Sequence, residues 1–295
     1  MRAIFPDLKQ LSLSLAGILV AISTSAQPLK IEEARGALRR GECDSAIAIL
    51  KDLVEQEPQS GEAHFVLGTA YGFKAQTSGM LGAVRYGRRV RDHYEKAVKL
   101  EPGQLEARYA LMQFYGFAPE MLGGSLVKSL EQAKAIQALD PVVGHRAYGF
   151  IYERQKQLDR ARKEYVDAVH EFPHSSRAHN YFGQYLMNVE NNSAAAFEEF
   201  ESAVTSASPY MPAFYNLGRT AALAGTNLPR GEAALKKYLA YTPTVIEPTV
   251  ASANYFLGII YEKQGKTAEA KRSYETAYRL NPGLKDVKQA LKRVS

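Results

Sequence analysis

One two-residue mark, bulky and then usually small, recurs along this chain at Leu67-Gly68, Leu111-Met112, Tyr148-Gly149, Phe182-Gly183, Leu217-Gly218 and Leu257-Gly258. The intervals between its second members are 44, 37, 34, 35 and 40 residues. A near-constant period of this size constrains the fold more than composition does. Each period is one supersecondary unit too small to bury its own apolar face, so successive units must stack on one another.

The segment Ala251 to Leu284 carries the pattern without a gap. Counted from Ala251, Leu257 and Gly258 fall at positions 7 and 8, Tyr261 at 11, Ala270 at 20, Tyr274 at 24, Ala277 at 27 and Pro282 at 32. Small Gly258 and Ala270 stand where two antiparallel helices must come close, with Tyr261 and Tyr274 around them. Gly265 permits the turn, and Pro282 ends the second helix. This segment resembles the tetratricopeptide repeat at every position that defines it. The same registration fits Val142 to Ser175 without a gap, and Ser176 to Tyr210 with one extra residue. It fits Met211 to Val250 with an added Pro-rich connector, "TPTVIEPTV". The weakest match, 27–60, keeps Ala46, Leu50, Leu53 and Pro58. The expectation is an all-α, right-handed superhelical solenoid of about seven helix pairs, at 27–60, 61–104, 105–141, 142–175, 176–210, 211–250 and 251–284. Residues 285–295 read as a polar capping helix.

Two pairs are longer than the rest. Gly68 to Pro102 spans 34 residues where the gap-free repeats need 24, and Met112 to Pro141 spans 29. The excess falls at 74–86 ("KAQTSGMLGAVRY") and 118–125 ("APEMLGGS"), both read as insertions between the first helix (A) and second helix (B) of a pair. Because neighbouring turns of a solenoid share an edge, Met80-Leu81 and Met121-Leu122 are expected to pack together. Ser125 is expected to cap the following helix.

The first 26 residues differ from all that follows: Arg2 and Lys9 precede the apolar run Leu11 to Ile22, and "STSA" supplies small residues. That is the pattern of a secretory signal peptide cleaved after Ala26, too short an apolar run for a spanning helix. The expected location is periplasmic or secreted, with no integral membrane segment after cleavage. Cys43 is the only cysteine, so an internal disulfide is excluded and packing must stabilise the fold. An apolar fraction of 46% supplies the core for that, and a net charge of +6 is spread along the chain rather than gathered in a tail. Arg85, Arg88, Arg89 and Arg91 cluster at the end of the longer insertion with Tyr86 as the one aromatic among them, short of the interleaved aromatics of a nucleic-acid surface. Nothing points to catalysis, a metal or a cofactor. There is no HExxH, GxSxG, CxxC or phosphate loop, and Pro173 separates His170 from His174.

The resemblance implies more. In tetratricopeptide arrays the partner-facing side chains come mostly from helix A, at positions 2, 5, 9, 12 and 13. Carried over, this names Phe65, Tyr109, Arg146, Asn180, Tyr215 and Tyr255 at position 5, and Phe150, Gln184 and Arg219 at position 9. Such a mixture of aromatics, arginine and amides suits an extended peptide or a partner helix. Co-chaperones of the family grip a C-terminal carboxylate with basic residues and Asn at these positions. Arg146, Asn180 and Arg219 occupy three of those five places, while Phe150 and Tyr215 depart from the other two. The implied function is an exported scaffold that binds a protein or peptide partner, with no nucleic acid. A different reading comes from "APEMLGGS", Ala118 to Ser125, which is similar to a turn in the periplasmic T component of TRAP-type solute transporters. That would make the chain a transport accessory.

Overall fold

The computed structural model describes residues 27–244, 246–284 and 286–294. The expected signal segment and its cleavage point lie outside the described residues. Among those described there are helices and no strands. Two compact units follow one another along the chain, 1–102 and 103–295.

In the first unit, α1 (residues 27–39), α2 (Cys43–Gln56), α3 (Gly61–Thr77) and α4 (Gly79–Leu100) form two pairs. Lys30 ties α1 to α2 through Asp52 at 2.9 Å. Arg35 ties α1 to α3 through Glu62 at 2.8 Å, and Lys74 ties α3 to α2 through Asp44 at 2.6 Å.

The second unit runs through α5 (Leu105–Phe117), α6 (Leu126–Leu139), α7 (Pro141–Arg154), α8 (Leu158–Glu171) and α9 (Ser176–Asn188). It continues with α10 (Ser193–Thr205), α11 (Met211–Ala224), α12 (Leu228–Leu239), α13 (Val250–Lys263), α14 (Thr267–Leu280) and α15 (Val287–Arg293). Odd-numbered α5 to α13 are the A helices, and each packs on the next one; B helices do not approach one another to the same extent. The row of A helices is therefore the tighter, concave side of this unit.

The recurring glycine sets how closely each pair closes. A methyl group on Gly68 would lie 2.7 Å from the Tyr94 ring, on Gly149 2.7 Å from Tyr165, on Gly183 2.7 Å from Phe200, on Gly218 2.3 Å from Leu235 and on Gly258 2.4 Å from Tyr274. No real side chain tolerates such contacts, so helix B leans its large residue onto bare backbone. The third pair exchanges the sizes. Met112 stands in the small place and Ala133 in the large one, and both are fully buried.

Side-chain caps start several helices: Ser60 accepts from the Ala63 amide, Asp140 from Val143 ahead of Pro141, Ser175 from Ala178 and Thr249 from Ser252. At the far end α15 buries Val287 and Ala290, and Arg293 forks onto Glu262 of α13 at 2.8 and 3.0 Å. The Pro-rich connector is pinned as well. Tyr238 donates to the Pro248 carbonyl at 2.6 Å, and Glu247 accepts from the Thr244 amide and the Tyr241 hydroxyl.

The longer insertion is not a turn, contrary to expectation. It is absorbed into the helices: α3 and α4 have 17 and 22 residues where α7 and α8 have 14 each. Ser78 alone separates them, and Gly79 at φ +64 makes the reversal that a left-handed backbone allows. Gly87, Val90, Tyr94 and Ala97 keep a helical period facing α3, so the apolar stripe draws the added residues into helix. The shorter insertion is a turn, with one turn of 3-10 helix at Glu120–Leu122 and Gly123 at φ +96. Gly124 has no room for a side chain, since a methyl group there would lie 1.7 Å from the Ala118 carbonyl oxygen. Ser125 does cap α6, accepting from the Lys128 amide at 3.3 Å. Met80, Leu81 and Met121 are 85%, 87% and 78% exposed, while Leu122 is buried.

Candidate partner-binding site

The A helices of the second unit are joined by side chains that bridge from one helix to the next. Arg146 of α7 lies between two phenol rings, 4.5 Å from the centroid of Tyr109 on α5 and 4.4 Å from that of Tyr181 on α9. Tyr181 in turn meets Tyr210, just before α11, edge to face at 6.3 Å. A guanidinium stacks flat on aromatic faces as an ammonium does not, and such contacts are worth about 0.5–2 kcal/mol each. Arg146 forms no ion pair among the described residues and is half-buried. Glu153 feels its positive field, but that carboxylate accepts the Tyr165 hydroxyl at 2.7 Å. Of its five N–H donors one side serves Tyr109, and a guanidinium desolvated between two rings without an ion pair among the described residues still has donors to offer an acidic group. Burial pushes the Tyr109 phenol up, with Arg146 opposing, and burial raises Tyr215 to about 12. Both rings therefore stay neutral donors at ordinary pH.

Not every residue named from the sequence reaches the open wall. Tyr109, Arg146 and Phe150 do come together on α5 and α7. Phe150 is half-buried and packs edge to face on the exposed Phe117 at 5.0 Å, while Arg154 covers Phe117 at 4.4 Å. Gln184 and Arg219 are half-buried, and Arg219 donates to Asn188 at 3.4 Å. Tyr255, also half-buried, lies between Phe256 at 5.3 Å and Tyr274 at 5.9 Å.

Three assignments need correction. Phe65 belongs to the first unit and is 4% exposed, its ring 6.0 Å from Tyr94, so it is core. Asn180 is 0% exposed and accepts from the Asn216 side chain at 2.8 Å across α9 and α11. Its Oδ1 is taken by helix packing and its Nδ2 is buried without a partner, so neither reaches the open wall, which removes Asn from the carboxylate grip the resemblance implied. Tyr215 is 9% exposed, wedged between Tyr238 and Phe256. Phe65 is covered by Tyr94 of its own B helix; for Asn180 and Tyr215 the cause is that consecutive A helices touch, which buries position 5 wherever the neighbouring helix carries a large partner. Tyr181 and Asn216 were missed for the same reason. Each lies one residue beyond position 5, and only the stacking of successive helices brings it to the seam.

Beside the shorter insertion, a cleft of about 190 Å³ is lined by Tyr115, Gly116, Leu126, Ser129, Ile151, Arg154 and Gln155. That volume is below the roughly 300–1,000 Å³ of small-molecule sites. It suits one side chain of a larger partner. No group of three or more His, Cys, Asp or Glu among the described residues could hold a metal ion. No helix among them is long and apolar enough to cross a membrane.

Comparison with known proteins gives the family. Models of the tetratricopeptide repeat match residues 31–71, 151–212 and 251–284. No curated protein matches the chain. Among solved structures, yeast Tom70 is similar at 14% identity and a TM-score of 0.53, over 86% of this chain and 58% of that one. A human IFIT1 dimer with PPP-AAAA is similar at 20% identity and a TM-score of 0.52, over 86% and 59%. The chain thus spans less than two thirds of the length of either, and at these identities the likeness is one of fold. A tetratricopeptide repeat protein from Parabacteroides merdae aligns over 92% of this chain and 99% of its own, at 16% identity and a TM-score of 0.45. The glycine contacts, the seam of A helices and the matched family models agree: this chain, helical throughout its described residues, carries tetratricopeptide repeats.

Proposed function

We propose that the A-helix wall of residues 103–295 is a non-catalytic binding surface for a segment of a partner protein, and that an acidic group of that segment pairs with Arg146. The observation that carries this reading is the arginine itself, desolvated between Tyr109 and Tyr181, with no ion pair among the described residues and its nearest acid, Glu153, taken up by the Tyr165 hydroxyl. Tyr109, Phe150 and Phe117 would give apolar area beside it, and the cleft at Arg154 would take a neighbouring side chain. Tetratricopeptide repeats commonly serve protein interactions, which favours a protein segment over a small ligand. We propose also that the chain is exported, from the three-part pattern of residues 1–26.

One experiment addresses both. The protein is recovered from the exported fraction with whatever is bound, and wild type is compared with Arg146→Gln. We expect a mature chain that begins at Gln27 and carries a defined partner, with recovery of that partner falling about tenfold or more in the variant. Losing a charged hydrogen bond costs roughly 1.5–3 kcal/mol. Equal recovery by a variant with unchanged circular dichroism contradicts the binding reading; an uncleaved cytosolic chain contradicts export.

A further inference from the structure

The α3–α4 hairpin ends in an apolar tip backed by unpaired cations. Met80 and Leu81, in the first turn of α4, are 85% and 87% exposed, and Val84 one turn later is exposed as well. Isolated exposed apolar side chains are ordinary, but three at a projecting end are not. The same face continues with Arg85, four residues after Leu81, and Arg88, four after Val84, so apolar and cationic groups share one stripe. No Asp or Glu occurs between Lys74 and Asp92, and Asp92 pairs with Arg91 at 2.7 Å. Arg85, Arg88 and Arg89 make no ion pair among the described residues. Arg85 lies over the Tyr86 ring at 5.7 Å, and Arg89 bonds the Tyr71 hydroxyl at 3.3 Å.

The tip is built to hold its shape. The Ser78 hydroxyl donates to the Lys74 carbonyl at 2.6 Å, Gly82 packs against Ser78 where a methyl group would lie 2.2 Å from its Cβ, and Tyr71 stacks on Tyr86 at 5.9 Å. At 1.5 Å rise per residue, Arg88 stands about 10 Å behind Leu81. Peripheral helices bury apolar side chains roughly 5–10 Å into the boundary of headgroups and acyl chains. A wedge of that depth sets Arg85 and Arg88 at the level of lipid phosphates.

We propose that the α3–α4 tip is a docking site for an anionic phospholipid surface, with Met80, Leu81 and Val84 entering the interface and Arg85 and Arg88 meeting the phosphates.

The chain has no tryptophan, so Leu81→Trp places a single fluorophore at the tip. The full-length variant is titrated with vesicles of phosphatidylcholine alone and of phosphatidylcholine with one third phosphatidylglycerol. We expect the emission to move to shorter wavelength on the anionic vesicles only. Adding Arg85→Glu and Arg88→Glu, both at exposed positions, should weaken the apparent vesicle affinity at least about tenfold, since each cation near such a surface contributes about fivefold. Circular dichroism confirms that the triple variant is folded. An unshifted emission overturns the proposal, even if the protein sediments with vesicles through its apolar residues 11–22. So does an equal shift on neutral vesicles. A shift that grows with protein concentration in the absence of lipid overturns it as well, and assigns the tip to a second copy of the chain.

Discussion

Gly258 shows how a single position sets the spacing of a helix pair. In a helix interior, Gly→Ala ordinarily gains about 1 kcal/mol, because alanine has less backbone freedom to lose. Here the new methyl group would sit 2.4 Å from the ring of Tyr274, which is fully buried and donates to Glu262 at 2.6 Å, so the ring cannot simply swing away. Overpacking of this kind costs about 1–3 kcal/mol, which offsets or exceeds the gain. Gly258→Ala is therefore expected to lower stability in urea titration. The double variant Gly258→Ala with Tyr274→Leu should be more stable than the sum of its parts by about 1 kcal/mol or more; strict additivity would contradict the contact. The glycine was legible in the sequence, because the pattern marks both partners. Arg146 was legible as a wall residue but its setting was not. Tyr109 and Tyr181 stand 37 and 35 residues from it, and only the stacking of three helices brings them to its two faces.

The α3–α4 hairpin is the element that differs most from its neighbours. Four glycines between Tyr71 and Arg89 favour an irregular turn, yet the helical stripe through Val90, Tyr94 and Ala97 won, and only Gly79 reverses the chain. Its inner face also carries a histidine pair, His64 and His93, with Nδ1 atoms 2.9 Å apart and Tyr71 stacked on His93 at 5.6 Å. One ring must accept from the other, so a second proton is unwelcome. Burial first, and then His64, lower the His93 pKa from 6.5 to about 4. The unfolded chain therefore binds more protons than the folded one between those two values, and stability falls as pH drops through that window. From pH 7 to pH 5 the loss amounts to at most about 2 kcal/mol. His145 and His179 act in the opposite sense. Glu164 and Glu199 accept from them and raise their pKa, so their contribution is present at low pH and lost as pH rises through the raised values. Urea midpoints of wild type and His93→Gln at both pH values separate these effects. The variant should lose less stability than wild type on acidification, and an identical loss would contradict the assignment.

At the scale of the molecule, the period predicted stacked helix pairs, and helix pairs with tetratricopeptide packing are what form. The division into 1–102 and 103–295 was not legible, because Pro102-Gly103 reads as one more repeat boundary and the pattern carries no mark of how firmly adjacent pairs adhere. The concave side of the second unit was inferred from family resemblance, and contact between consecutive A helices explains it physically. The same contact withdrew Asn180 and Tyr215 from the open wall and left Arg146 as its charged centre. That centre is tested most directly by site-specific photo-crosslinking. A benzoylphenylalanine is placed either at Gln184, on A helix α9, or at exposed Lys271, on B helix α14. The wall reading predicts that position 184 captures a defined partner segment bearing an acidic group, that Arg146→Gln abolishes the capture, and that position 271 captures nothing. Capture from 271 alone, or capture from 184 that survives Arg146→Gln, would contradict it.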